Sequence, residues 1–161
     1  MAELINHLVE AGHRAAALGR GEAPPPGDRS PHVEPSDAPG QLRSAAEEAA
    51  QAWGDDSSLS LRHAMPWGEE YAGAAVVDMY LAELAAHAWD LAWATGQTGK
   101  LDPSLALPAL EGARAIIKPQ YRNLAGPGAP FGAEVCPAPG ADDWERLAAF
   151  TGRDPRTTPG L

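Results

Sequence analysis

The run YLAELAAHAWDLAWATGQ, residues 80–97, constrains the fold of this chain more than any other part of it. Ala and Leu dominate, no proline interrupts, and Gly96 supplies a stop, so the pattern predicts one long helix over about 70–95. Most of its circumference is apolar, which requires other helices to cover it. Yet Val76, Tyr80, Glu83, His87, Asp90 and Ala94 fall on one narrow stripe at helical spacing. An acid, an imidazole and a second acid on a buried helix each need a partner, because desolvating a polar group without one costs several kcal/mol, roughly 2–7.

The remaining elements are shorter. Residues 2–19, AELINHLVEAGHRAAALG, keep Leu4, Leu8, Ala11, Ala15 and Leu18 on one face and predict an amphipathic helix ending at Gly19 or Gly21. Residues 22–40 contain six prolines and read as a long loop. A short helix follows at 41–53. Residues 57–69 read as irregular or weakly extended. A further helix runs near 104–118, its regular part starting around Pro108 and stopped by Pro119. Residues 123–141 form a turn-rich connector, and 142–152 a last short helix capped by Asp142 or Asp143. No internal repeat and no strong strand alternation appears. The chain therefore reads as a single all-α domain over 1–161, a small helical bundle with long loops.

Composition narrows the function. A net charge of −10 argues against a nucleic-acid partner, since phosphates repel an acidic surface. The single cysteine, Cys136, rules out an intrachain disulfide and a cysteine-based zinc site, and fits a reducing cytoplasm. Neither a signal peptide nor a run long enough to span a membrane is present in the sequence, which gives a cytoplasmic expectation. Ten Arg against two Lys, with abundant Ala, Gly and Pro, suggest a bacterial source.

The polar stripe carries the chemistry. Glu83 and His87, four apart, point the same way from neighbouring turns and can share one ion. His7, between Leu4 and Ala11 on the core side of the first helix, is the candidate third ligand. Two imidazoles and one carboxylate suit Zn²⁺, with Ni²⁺, Fe²⁺ or Mn²⁺ as alternatives, and leave a coordination position open for water or substrate. Asp90 would then hold a ligand's orientation or a backbone donor. The spacing alone is not diagnostic: Glu3 and His7 form a second Glu-x-x-x-His pair, and an ordinary surface contact also explains such pairs. His13, His32 and His63 read as solvated, Trp89 and Trp93 as packing, and Trp67 as packing or a pocket mouth. Cys136 has no local cation to activate it.

Whole blocks of the chain are also familiar. ELAAHAWDLAWATGQ resembles the E-L-x-x-H-x-W-D-L-A-x-A-T-G-Q block of the DinB-like superfamily, in its branch around the mycothiol-dependent maleylpyruvate isomerase. AELINHLVEAG is similar to that branch's D-L-x-x-H-L block. MPWGEEYAGAAVVDMYLAE resembles its lead-in, and PFGAEVCPAPGADDWERLAAFTGRDP its closing F-G-x-x-V…G-R-D-P block. The resemblance covers nearly the whole chain in order. It implies a DinB-like four-helix-bundle type with a metal centre whose ligands fall on His7, Glu83 and His87, with zinc the first expectation.

Function follows as an expectation from the same source. The resemblance implies a thiol-dependent transferase or isomerase acting on a small electrophile, with mycothiol as a candidate second cofactor. The alternative is a metal-binding stress or sensor module without catalysis. Partners are then a small-molecule substrate or thiol, with neither nucleic acid nor membrane. Two departures stand out. The first-ligand block starts at Met1, so the family's first helix is expected to be lacking or to lie upstream of a misplaced start. An apolar face left open by its loss would invite a homodimer. The isomerase's longer C-terminal region is also missing, so its particular reaction does not carry over.

Overall fold

The structure is a computed structural model describing residues 2–24, 33–65, 68–122 and 131–157. It is an all-α protein. Five helices lie among the described residues: α1 (Ala2–Gly19), α2 (Ala38–Ala52), α3 (Gly73–Ala94), α4 (Pro103–Ile116) and α5 (Asp143–Phe150). A single antiparallel ribbon accompanies them, β1 (Arg62–Ala64) with β2 (Glu70–Ala72). The chain divides into two compact units, Met1–Tyr80 and Leu81–Leu161, and the boundary falls within α3. None of the described helices is long and apolar enough to cross a membrane.

In the first unit, α1 and α2 meet on small residues. A Cβ added to Gly12 would stand 2.9 Å from the Ala45 Cβ, and one added to Gly19 would stand 2.9 Å from the Ala52 Cβ. Approach this close is open only to glycine, so the Gly12/Ala45 and Gly19/Ala52 contacts fix how α1 lies on α2. Val9, Val33 and Ala38 are buried along this seam with Ile5 and Leu42 against them. Two hydrogen bonds tie flanking segments to α1. The Val33 N–H donates to Asn6 Oδ1 at 2.9 Å, and the Trp53 indole N–H donates to the Ala15 carbonyl at 2.8 Å. Leu18, Met65 and Val76 form a second buried cluster, flanked by Trp53, Tyr71, Met79 and Tyr80. The start of α3 is thereby anchored to the end of α1.

In the second unit, Ala82, Ala85 and Trp89 of α3 pack with Ala109, Leu110 and Ala113 of α4 and with Trp144, Leu147 and Ala148 of α5. Trp93 stacks on Trp89 with ring centroids 5.0 Å apart, the packing role that the sequence suggests. A reciprocal capping box starts α5. Asp142 Oδ1 accepts from the Glu145 N–H at 2.8 Å, and the Asp142 N–H donates to Glu145 Oε2 at 3.1 Å.

Several elements differ from their sequence expectation, each for a local reason. The second helix begins at Ala38, inside the expected 22–40 loop, because Pro39 sits in the first turn, where its missing N–H has no intrahelical partner to lose. Within 57–69, read as irregular or weakly extended, the described residues hold the end of a 3₁₀ turn, Asp56–Ser60, and the short extended β1. Those strands are three residues long, too short to carry a legible alternation. The long helix starts at Gly73, where an added Cβ would lie 2.2 Å from the Ser58 carbonyl oxygen. The fourth helix starts at Pro103, capped by Asp102 through the Ser104 N–H at 2.9 Å, so Pro108 lies inside it. Pro108 forfeits a bond to the Ser104 carbonyl, and both residues lie on the exposed side of the helix. Residues 25–32 of the first long loop and 123–130, the start of the second, lie outside the described residues, as do His32 and Trp67.

The helix seam gives a direct test. Gly12→Val should lower the unfolding free energy by about 1–3 kcal/mol in chemical denaturation, since the added groups have nowhere to go. Gly40→Ala, whose Cβ meets nothing within 4 Å, should leave stability unchanged or raise it by up to about 1 kcal/mol.

Candidate metal centre

The site grows from the α3 periodicity. Glu83 and His87 occupy successive turns of α3, both half-buried, and His7 is half-buried on α1. One ligand atom from each of the three lies within 4.8 Å of the others. The three residues could hold a metal ion, and they are the same three that the sequence singles out. Glu3, the other acid four residues from a histidine, is exposed and outside the group.

Asp90 is not in the group but touches it. Its Oδ2 lies 3.0 Å from His87 Nδ1. The same carboxylate receives a two-pronged hydrogen bond from Arg153, Nε to Oδ1 at 2.5 Å and Nη2 to Oδ2 at 2.6 Å. The three side chains are about three-quarters buried, with exposures of 24% for His87, 26% for Asp90 and 23% for Arg153. Burial pushes the Asp90 carboxyl up, but hydrogen bonds from Arg153 and His87 and their charge outweigh it and bring the group down to about 2.

Sequence reasoning did not find Arg153. It lies 63 residues from Asp90 and belongs to no helical pattern. The one local signal is Gly152 immediately after α5, which marks a helix terminus and so a change of chain direction. His63 also departs from its expected solvated state. It is the middle residue of β1, whose pattern is exposed–buried–exposed, and it is only 5% exposed. Its ring centroid lies 5.4 Å from that of Trp53, and its Nε2 has no hydrogen-bond partner among the described residues. His13 is half-exposed and pairs with Glu48, Nδ1 to Oε2 at 3.1 Å. Cys136 is exposed. Two surface hollows of about 240 and 320 Å³, one beside Trp144 and one beside His63, are not lined by the metal-ligand candidates.

The fold and the three-residue group together define a helical protein with a candidate metal centre. In sequence the chain is 37% identical over 161 residues to two uncharacterized Mycobacterium tuberculosis proteins, MT0763 of strain CDC 1551 and Rv0738 of strain H37Rv, a match that covers 96% of this chain and 79% of each relative. The chain belongs to the family of these mycobacterial proteins. No family model matches it, and no solved structure does.

The Asp90 carboxyl makes stability depend on pH. Its folded-state value lies below the ordinary one of 3.8, so the folded protein holds this proton less tightly than the unfolded chain. The stabilisation is complete above about pH 4 and is lost as pH falls through about 2. In metal-free protein, Asp90→Asn should therefore cost about 2 kcal/mol at about pH 6, with the difference from wild type shrinking towards pH 2, as read by denaturant melts across that range.

Proposed function

We propose that this protein binds a divalent metal through His7, Glu83 and His87, and uses it with a small thiol of the mycothiol kind to transfer or isomerise groups on a small electrophile. The observation that carries the reading is the convergence of three ligand atoms within 4.8 Å. The resemblance of the blocks around His7 and His87 to the DinB-like superfamily supplies the chemistry.

The donor set fits such an ion. Donors about 2.1 Å from one zinc ion stand roughly 3.4 Å apart in a tetrahedron, so a spread within 4.8 Å is open enough to admit an ion and close enough to be drawn in by it. Two neutral imidazoles and one carboxylate favour Zn²⁺ first, with Ni²⁺, Fe²⁺ or Mn²⁺ also compatible. Glu83 contributes the single negative charge of the set, so the site keeps one net positive charge with a divalent ion and favours an anionic further ligand. A bound ion supplies the charge that favours thiolate over thiol in the remaining position. Half-burial of the three side chains limits competition from water, which strengthens each electrostatic contact.

Elemental analysis of purified protein tests the reading at its base. Wild type should contain about one divalent ion per chain, and His87→Ala a small fraction of that. No stoichiometric metal in either protein would defeat it. With metal loaded, mycothiol should bind, and members of a panel of small electrophiles should be turned over in its presence, with the thiol used up in a transfer and returned in an isomerisation. Loaded protein with neither thiol binding nor turnover would leave a metal-binding module without this catalysis.

A further inference from the structure

We propose that Arg153 is a positioning residue for the metal centre: by clamping Asp90 it holds His87 in the tautomer with the proton on Nδ1, and so presents the Nε2 lone pair to the ion. The inference rests on the metal-binding reading above and assigns to it a residue that acts through Asp90.

The argument starts from hydrogen-bond direction. A guanidinium only donates, and it stays charged at any physiological pH. Arg153 gives Asp90 two donors in the fork-to-fork geometry that suits a carboxylate, at 2.5 and 2.6 Å. Asp90 held this way is an acceptor on both oxygens. The 3.0 Å contact between its Oδ2 and His87 Nδ1 then requires Nδ1 to be the donor. A neutral imidazole with its proton on Nδ1 has its lone pair on Nε2, which is what a metal needs. Without the clamp, the Asp90 side chain is free to turn about its two torsions. An unrestrained imidazole favours the opposite tautomer, with the proton on Nε2, and that form cannot ligate through Nε2.

The backbone holds Arg153 where this works. Gly152 adopts a left-handed conformation, φ 93°, just past α5. The Gly152 N–H donates to the Ala149 carbonyl at 3.1 Å and the Arg153 N–H to the Ala148 carbonyl at 2.9 Å, the paired bonds of a Schellman turn. A Cβ on Gly152 would lie 2.8 Å from Gly132 Cα, so the turn is packed as well as bonded. The Val135 N–H donates to the Ala149 carbonyl at 2.9 Å and holds the 131–135 segment beside the same turn. Arg153 therefore leaves the helix in a fixed direction, which lowers the entropy lost when it engages Asp90.

A tautomer measurement separates positioning from mere stabilisation. In ¹⁵N-histidine-labelled, metal-free protein at about pH 8, above the ordinary imidazole range, the His87 resonances assigned by His87→Gln should report the Nδ1–H form in wild type. Arg153→Ala should shift His87 towards the Nε2–H form and weaken Zn²⁺ binding about tenfold. Arg153→Lys, which keeps charge but not the fork, should fall between them. If Arg153→Ala does not fold, Arg153→Met, which keeps the aliphatic stem, carries both readings. A folded Arg153 variant of lowered melting temperature that keeps the wild-type tautomer and Zn²⁺ affinity would overturn the proposal. The tautomer reading needs no metal. A wild-type protein in the Nδ1–H form that takes up no ion would therefore defeat the proposed function while leaving the clamp standing.

Discussion

Everything proposed for this protein depends on α3 remaining one uninterrupted helix. Glu83 and His87 face the same way only because they are four residues apart on it, and Asp90 reaches His87 only because it is three further on. The same helix contributes Val76 to the buried cluster of the first unit and Ala82, Ala85 and Trp89 to that of the second. A polar stripe on such a helix is costly unless each member is satisfied. Two members of the stripe have their partners in view, Asp90 through Arg153 and His87 Nδ1 through Asp90.

The supporting structure is built largely from small residues. Gly12 and Gly19 let α1 approach α2 at distances no larger side chain permits, and Gly73 lets α3 begin against the turn at Asp56–Ser60. Close backbone packing of this kind leaves little room for α1 to slide, and α1 is the helix that carries His7. The abundant Ala and Gly, which in the sequence suggest only a bacterial source, are also what this close packing needs.

The long helices were legible in the sequence because their patterns extend over several turns: α1 was expected over 2–19 and is found there, and Gly96 closes the region of α3 as expected. Short features were not legible. Three-residue strands carry no alternation, and Pro108 looked like a helix start because sequence shows the lost donor but not that the residue lies on an exposed face of the helix. Within the site, His7, Glu83 and His87 could be nominated by spacing and resemblance, since two share a helix. The Asp90–Arg153 pair could not, because nothing local in either residue points 63 positions along the chain. His63 failed for the opposite reason: a histidine in an apparent loop looks solvated until the ribbon turns it inward.

The central claim is that His7, Glu83 and His87 hold one ion together. X-ray absorption spectroscopy of the zinc-loaded protein tests it most directly. The account predicts a first shell of nitrogen and oxygen donors at about 2.0–2.1 Å, with the outer-shell scattering of two imidazoles, falling to one in the zinc that His7→Ala and His87→Ala retain when zinc is in excess. A sulfur shell at about 2.3 Å in protein free of added thiol, or an imidazole count unchanged by both substitutions, would contradict it.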